Sequence, residues 1–192
     1  IGLAILSCTN KDVSCGTAYF GGEIINANND HLVLYDRSDE PLDTIYLDDK
    51  NRFAYQVENL EPGLHSFVHG GETQSLILEE NDSVLIRLNT LDFDESLVFT
   101  GKGAKKNNYL IKTYLSNERE ADKLVEYSKM EPETFHSFIE ERRQRHLNQR
   151  HKFLEQNEQS DFFQSILEAN INYNNYARNI ESYENWKEQS VK

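Results

Sequence analysis

The groups in this 192-residue chain that could transfer protons, hold a metal or attack a bond are six histidines, two cysteines and 33 carboxylates. Their spacing limits what they can do. A metal site built on one helix needs ligands a turn apart, but His146 and His151 are five residues apart and fall on different faces, and no His-Glu-x-x-His occurs. His136, His146 and His151 are therefore expected at the surface. His65 and His69 would share one face of a strand about 13 Å apart, too far to hold one ion between them. Asp36, Asp39 and Glu40, and likewise Asp92, Asp94 and Glu95, are dense enough to resemble cation loops. Neither has the Asp-x-Asp/Asn-x-Asp/Asn-Gly spacing that gathers the oxygens calcium requires, so both are expected to be solvated loops. Gly101-Lys-Gly103 lacks the further glycines of a phosphate cradle and is expected to turn the chain from a last strand into a first helix. Neither a nucleophile elbow nor a dinucleotide fingerprint is present. The expectation is a chain with no catalytic residue, no cofactor-binding residue and no metal ligand.

The thiols are also restricted. Two cysteines, Cys8 and Cys15, are too few for a disulfide framework, and without a Cys-x-x-Cys the chain cannot itself run thioredoxin-type exchange. The basic stretch Arg142 to Arg150 follows Glu140 and Glu141, so a solvated, salt-bridged helix face is expected, each pair contributing a few tenths of a kcal/mol. The formal net charge of −13 argues against a nucleic-acid partner, whose phosphates demand a basic face. A hydrophobic content of 38%, with 11% aromatic residues, is enough to build a core.

The elements that must position these groups change character near residue 103. Residues 17–103 alternate as short strands between turn signals: Thr17–Ile25, His31–Tyr35, Asp43–Leu47, Arg52–Val57, Leu64–Val68, Gln74–Leu78, Val84–Leu88 and Leu97–Thr100. Phe53, Tyr55 and Val57 lie on one face while Arg52, Ala54 and Gln56 lie on the other, the alternation of a strand buried on one side. Asp48-Asp-Lys-Asn51 is expected to close a hairpin. The pattern predicts an α+β chain: an antiparallel β-sandwich of seven or eight strands over 17–103, then a helical segment of about three helices over 104–192. Leu110, Ile111, Tyr114 and Leu115 form one helical stripe. Pro132 opens a second helix, with Phe135, Phe138 and Ile139 on one face and a section from Glu140 to His151 that is polar all round. A third helix is expected from an N-cap at Ser160 or Asp161 through Phe163, Leu167, Ile171 and Tyr173 to Trp186. The Asn170–Tyr176 aromatic stripe is expected to pack as core.

Residues 1–16 form a separate piece. Ile1-Gly-Leu-Ala-Ile-Leu-Ser-Cys8 is an apolar run, too short to span a bilayer, that ends at a small residue and a cysteine before turning polar. Ile5-Leu6-Ser7-Cys8 resembles the lipobox of bacterial lipoproteins, in which the cysteine is acylated and becomes the mature N-terminus. The resemblance implies lipidation at Cys8, a membrane lipid as partner, and a signal remnant and tether over 1–16. Two or more acyl chains would anchor the protein stably where one does not.

Three further motifs run in order behind that cysteine: Leu60-Glu-Pro-Gly-Leu64, Leu78-Glu-Glu-Asn-Asp-Ser-Val-Leu-Ile-Arg-Leu88 and Phe99-Thr-Gly-Lys-Gly-Ala-Lys-Lys-Asn-Asn-Tyr-Leu110. Together they resemble the N-terminal β-rich domain of lipid-anchored, thioredoxin-like proteins of one group of Gram-negative bacteria. The likeness is good over roughly 15–115 and holds only in outline beyond. In that family a β-sandwich and helices precede a thioredoxin-like domain with the redox Cys-x-x-Cys. One departure stands out: Glu80-Asn81-Asp82 replaces the family's Pro-Gly-Asp, a change Asn tolerates because it adopts the left-handed conformation. The resemblance implies a non-catalytic accessory module in the cell envelope, facing the periplasm or the cell surface, whose partner is its own thioredoxin-like domain beyond Lys192. The alternative is a free-standing envelope lipoprotein that binds a peptide, glycan or envelope protein.

Overall fold

The computed structural model describes residues 16–127 and 129–172. Cys8, Cys15 and the part of the expected third helix from Tyr173 to Trp186 lie outside the described residues. The chain divides into two compact units, one through Asn107 and one from Asn108.

The first unit carries eight strands: β1 (Gly16–Ile25), β2 (His31–Tyr35), β3 (Pro41–Tyr46), β4 (Arg52–Leu60), β5 (Gly63–His69), β6 (Glu72–Leu78), β7 (Ser83–Asn89) and β8 (Val98–Lys102). A 3₁₀ turn over Thr90–Asp92 and a single helical turn, α1 (Phe93–Ser96), separate the last two. The strands form two four-stranded sheets, ordered β4-β1-β7-β8 and β3-β2-β5-β6. The class expected from sequence, an α+β chain with an N-terminal β region and a C-terminal helical segment, is the one observed. Alternation places one side of each strand inward: Phe20 and Ile24, Leu32 and Leu34, Phe53 and Val57, Leu76 and Leu78, and Val84, Ile86 and Leu88 are all buried. Rings join the two layers, with Phe20 5.0 Å from Phe53 in its own sheet and 5.5 Å from Phe67 in the other.

Two pairings differ from the expectation. β1 lies antiparallel to β4 but parallel to β7, with Phe20 opposite Val84 and Ile24 opposite Leu88. A parallel neighbour requires a long crossover, here β2 to β6, which include the whole of the second sheet and β4 of the first. The connection Asp48-Asp-Lys-Asn51 is also not a hairpin loop. It is a tight turn, but β3 pairs with β2 in one sheet and β4 with β1 in the other, so it carries the chain between layers. Asp48 builds the turn by accepting from the amides of Lys50 and Arg52, and these amides with the Arg52 guanidinium hold its carboxyl down to about 2. Gly70-Gly71, both at positive φ, closes the β5–β6 hairpin. Among the described residues, the non-glycine residues at positive φ are Asn26, Asp39, Asn51, Asn59 and Asn81, side chains that bond locally and tolerate that region.

The second unit holds most of α2 (Ala104–Tyr127), which begins in the first, then α3 (Pro132–Gln156) and a helix over 161–172, α4. Pro132 occupies the first turn of α3, where its missing amide hydrogen costs nothing. Ser160 is the N-cap of α4, its Oγ accepting from the Phe163 amide at 3.1 Å. Leu124, Phe135 and Ile139 form one small core, closed by Tyr127 stacked on Phe138 at 4.0 Å. Tyr109, Phe153 and Phe163 form a second ring cluster, with centroids 4.5 to 6.5 Å apart.

Candidate functional site

The densest buried polar chemistry in the first unit is where the second and third motifs meet. β6 ends at Leu78, and Glu79-Glu-Asn-Asp82 turns the chain into β7 with Asn81 at φ 62°. This left-handed residue is the one the sequence places there. It lets the Asp82 carboxylate fold back to accept from the Glu79 amide at 2.8 Å. After β8, Gly103 at φ 93° starts α2. A Cβ on that residue would lie 2.8 to 2.9 Å from the Asp82 carboxyl, so only glycine permits the approach. The first turn of α2 then delivers Lys106 and Asn107 to the same place.

Lys106 Nζ donates to Asp82 Oδ2 at 2.5 Å and to Glu79 Oε2 at 2.6 Å, with the Lys106 and Asp82 side chains 5% and 6% exposed. Asn107, fully buried, accepts from the Ile77 amide at 2.7 Å and donates to the Ile77 carbonyl at 2.9 Å. It satisfies both backbone groups of one β6 residue, as a neighbouring strand would. β6 is the outer strand of its sheet, so Asn107 also blocks an edge that would otherwise template another chain. These acids and this lysine are arranged as a structural clamp: each finds its partners within the cluster.

The groups singled out by sequence are placed as follows. Asp36 accepts from the amides of Ser38 and Glu40 at 2.7 and 2.9 Å, which lowers its proton affinity and marks an Asx turn. Asp94 accepts from Gln74 Nε2 at 2.7 Å. Among the described residues, no three His, Cys, Asp or Glu side chains are grouped so as to hold a metal ion. His136 and His151 are exposed as expected, but His146 is buried. Burial and the neighbouring Arg142 push its proton affinity down. The expected solvated face over Arg142 to Arg150 is also only partly solvated. Arg142 is buried, donating to Glu120 Oε2 at 2.9 Å and to Asn117, while Arg145 reaches the other Glu120 oxygen at 2.9 Å. Glu140, expected to pair with this stretch, does hold Arg143 and Gln144. The reason is geometric: α2 and α3 meet along that face, and an Arg fork with a carboxylate fills a helix–helix contact that the polar sequence hides.

His65 and His69 lie inward on β5, flanking Phe67, and are almost fully buried. His69 Nδ1 is 2.9 Å from the His31 carbonyl, and its Nε2 is buried without a partner. His65 Nδ1 is 3.1 Å from the Gly63 carbonyl, and burial lowers its proton affinity. Sequence reasoning missed Lys106, Asn107 and Asp82 as a unit. The available signal was a lysine and an asparagine in the first turn of a helix that directly follows a glycine pair.

A second feature is an open groove of about 730 Å³ on the outer face of the first sheet, lined by Glu23, Asp48, Arg52, Ala54, Leu85 and Arg87 among others. Tyr19, Leu85 and Val98 project from the same sheet and are about half exposed.

No family model matches the chain, and no curated protein matches it. Among solved structures it is similar to the crystal structure of BcpA*(D312A), the major pilin subunit of Bacillus cereus, with 13% identity and a TM-score of 0.27. That match covers 45% of this chain and spans about a quarter, 26%, of the pilin.

Proposed function

We propose that this chain is the non-catalytic accessory module of a membrane-anchored, thioredoxin-like thiol–disulfide oxidoreductase, tethered to the bacterial cell envelope through an acyl chain on Cys8. The observation that carries the proposal is the clamp of Glu79, Asp82, Lys106 and Asn107. The motifs behind the family resemblance use their polar side chains to fix strand ends to a helix start, which is the work of a scaffold. The chain contributes position, and the exchange chemistry belongs to a Cys-x-x-Cys domain that follows it. Reading the native gene past Lys192 tests this: the proposal expects a thioredoxin-like βαβ pattern with Cys-x-x-Cys, and a stop codon soon after residue 192 overturns it.

A second reading, a free-standing envelope lipoprotein that binds a peptide, glycan or protein, is favoured by the half-exposed Tyr19, Leu85 and Val98 beside the outer groove. Aromatic and aliphatic groups gathered on one face are common at binding surfaces. It expects the gene to end near Lys192.

A further inference from the structure

One face of α3 turns Phe135, Ile139, Arg142 and His146 inward at helical steps of three and four. The apolar pair packs with Leu124 of α2. Further along, α3 returns to apolar packing at Phe153, whose ring centroid is 4.5 Å from that of Tyr109 on α2. Between these two groups the α2–α3 contact is polar. Arg142 donates to Glu120 Oε2 at 2.9 Å and to Asn117, and Arg145 reaches Glu120 Oε1 at 2.9 Å. His146, 8% exposed, follows Arg142 by one turn on the buried stripe.

The charges around the ring are unevenly divided. Arg142 and Arg145 on α3 act against a proton on His146, and Glu120 on α2 acts for it. Burial and the two arginines outweigh the carboxylate, so the ring's proton affinity lies below the ordinary histidine value. Glu168 on α4 is turned to Arg150 instead, 4.0 Å away. Glu120 already has one oxygen taken by each arginine. A protonated ring is therefore a third cation beside one engaged carboxylate, in a contact largely closed to water, where such a charge is costly.

We propose that this polar stretch is an acid-operated joint: a proton on His146 parts α2 from α3 between their two apolar groups, while Leu124 with Phe135 and Ile139, and Tyr109 with Phe153, stay packed at either end. The inference does not depend on the redox assignment or on lipidation. Its sign follows from the neutral ring of the folded state. A histidine whose folded proton affinity is lowered contributes in full above its unfolded value, about pH 6.5, and loses that contribution as the pH falls below it. Glu120 keeps its charge through this range, because its own affinity is lowered and its loss begins only below the ordinary value of 4.5. Between those two values, the proton that opens this contact is the one on His146.

Amide hydrogen exchange on the whole 192-residue chain, read by NMR and divided by intrinsic rates, follows the joint as the pH is lowered from about 7 to about 5.5. Protection over residues 113–120 and 142–149 should fall at least about threefold more than protection over 136–139, against a limit of about tenfold per pH unit for one proton. His146→Gln should abolish that difference. Arg145→Gln, at a half-exposed position, removes one repelling charge and should move the titration of the His146 ring resonances upward. Equal loss over 136–139, a pH response that survives His146→Gln, an unmoved titration in Arg145→Gln, or a ring that titrates in the unaltered chain at or above about 6.5 would overturn the proposal. The ring titration of the unaltered chain decides the matter even where His146→Gln fails to fold.

Discussion

Replacing Lys106 by Met removes one charge and keeps most of the buried stem, so the result isolates what the ammonium contributes to the clamp. Three charges share a space nearly closed to water, with side-chain exposures of 5% for Lys106, 6% for Asp82 and 19% for Glu79. At the contact distances seen, 2.5 and 2.6 Å, each pair attracts by about 6 to 7 kcal/mol for an effective dielectric constant near 20. Desolvation costs several kcal/mol per ion, so the intact cluster comes out close to balance. Removing the lysine alone breaks that balance, because Asp82 and Glu79 stay buried beside each other with no counter-charge. The expected loss is about 3 to 5 kcal/mol. In an Asp82→Asn background the same Lys106→Met change should cost about 2 kcal/mol less, since one stranded charge has gone. Urea unfolding followed by far-ultraviolet circular dichroism measures both, with the midpoint giving stability and the slope showing that the same surface is exposed. A single-variant loss under about 1 kcal/mol, or effects of the two changes that add within about 0.5 kcal/mol, would refute the clamp.

Other outcomes follow from the same structure. Asn107→Ala strands both backbone groups of Ile77 and uncovers the β6 edge, so it should lower stability by about 2 to 4 kcal/mol and produce concentration-dependent dimers in size-exclusion chromatography. Burial raises the Glu120 proton affinity, but its bonds to Arg142 and the charges of Arg145 and Arg142 outweigh that and lower it overall. Such a carboxylate stabilises the fold in full above its unfolded value and loses that contribution as the pH falls through its folded one. Glu120→Gln should therefore cost stability at pH 7 and flatten the acid limb of a stability–pH profile. His65 is shifted down by burial, so its stabilising effect is complete above about pH 6.5 and declines as acid forces the proton on. His65→Phe should remove that part of the slope below about pH 6.5 in thermal unfolding. With Cys8 as the proposed acylation site, the unaltered protein should incorporate palmitate and stay in the membrane fraction, and Cys8→Ser should abolish both.

Local signals carried much of the fold. Each of the eight strands left a period-two pattern or a β-rich run between turn residues, and Ser160 announced α4 by its capping chemistry. Asn81 took the left-handed conformation because the side-chain type allows it. Partner choice was not legible, since it depends on contacts distant in sequence. Nothing in β1 or β7 alone encodes their parallel pairing, and the Asp48–Asn51 turn has the same residues whether it folds a hairpin or crosses between layers. Burial of charged residues was equally hidden. Arg142 and His146 read as a solvated helix face until Glu120 is brought opposite them, and Lys106 reads as one of several surface lysines until the Glu79–Asp82 turn folds around it. A buried ion cluster has the composition of a surface.

The proposal that this chain is a scaffold for a separate redox domain is tested by measuring insulin disulfide reduction by the product of the whole native gene and by the 192-residue chain side by side. The account predicts turnover by the native protein and none by the 192-residue chain. Reduction by the 192-residue chain alone, or an inactive native protein, would contradict it.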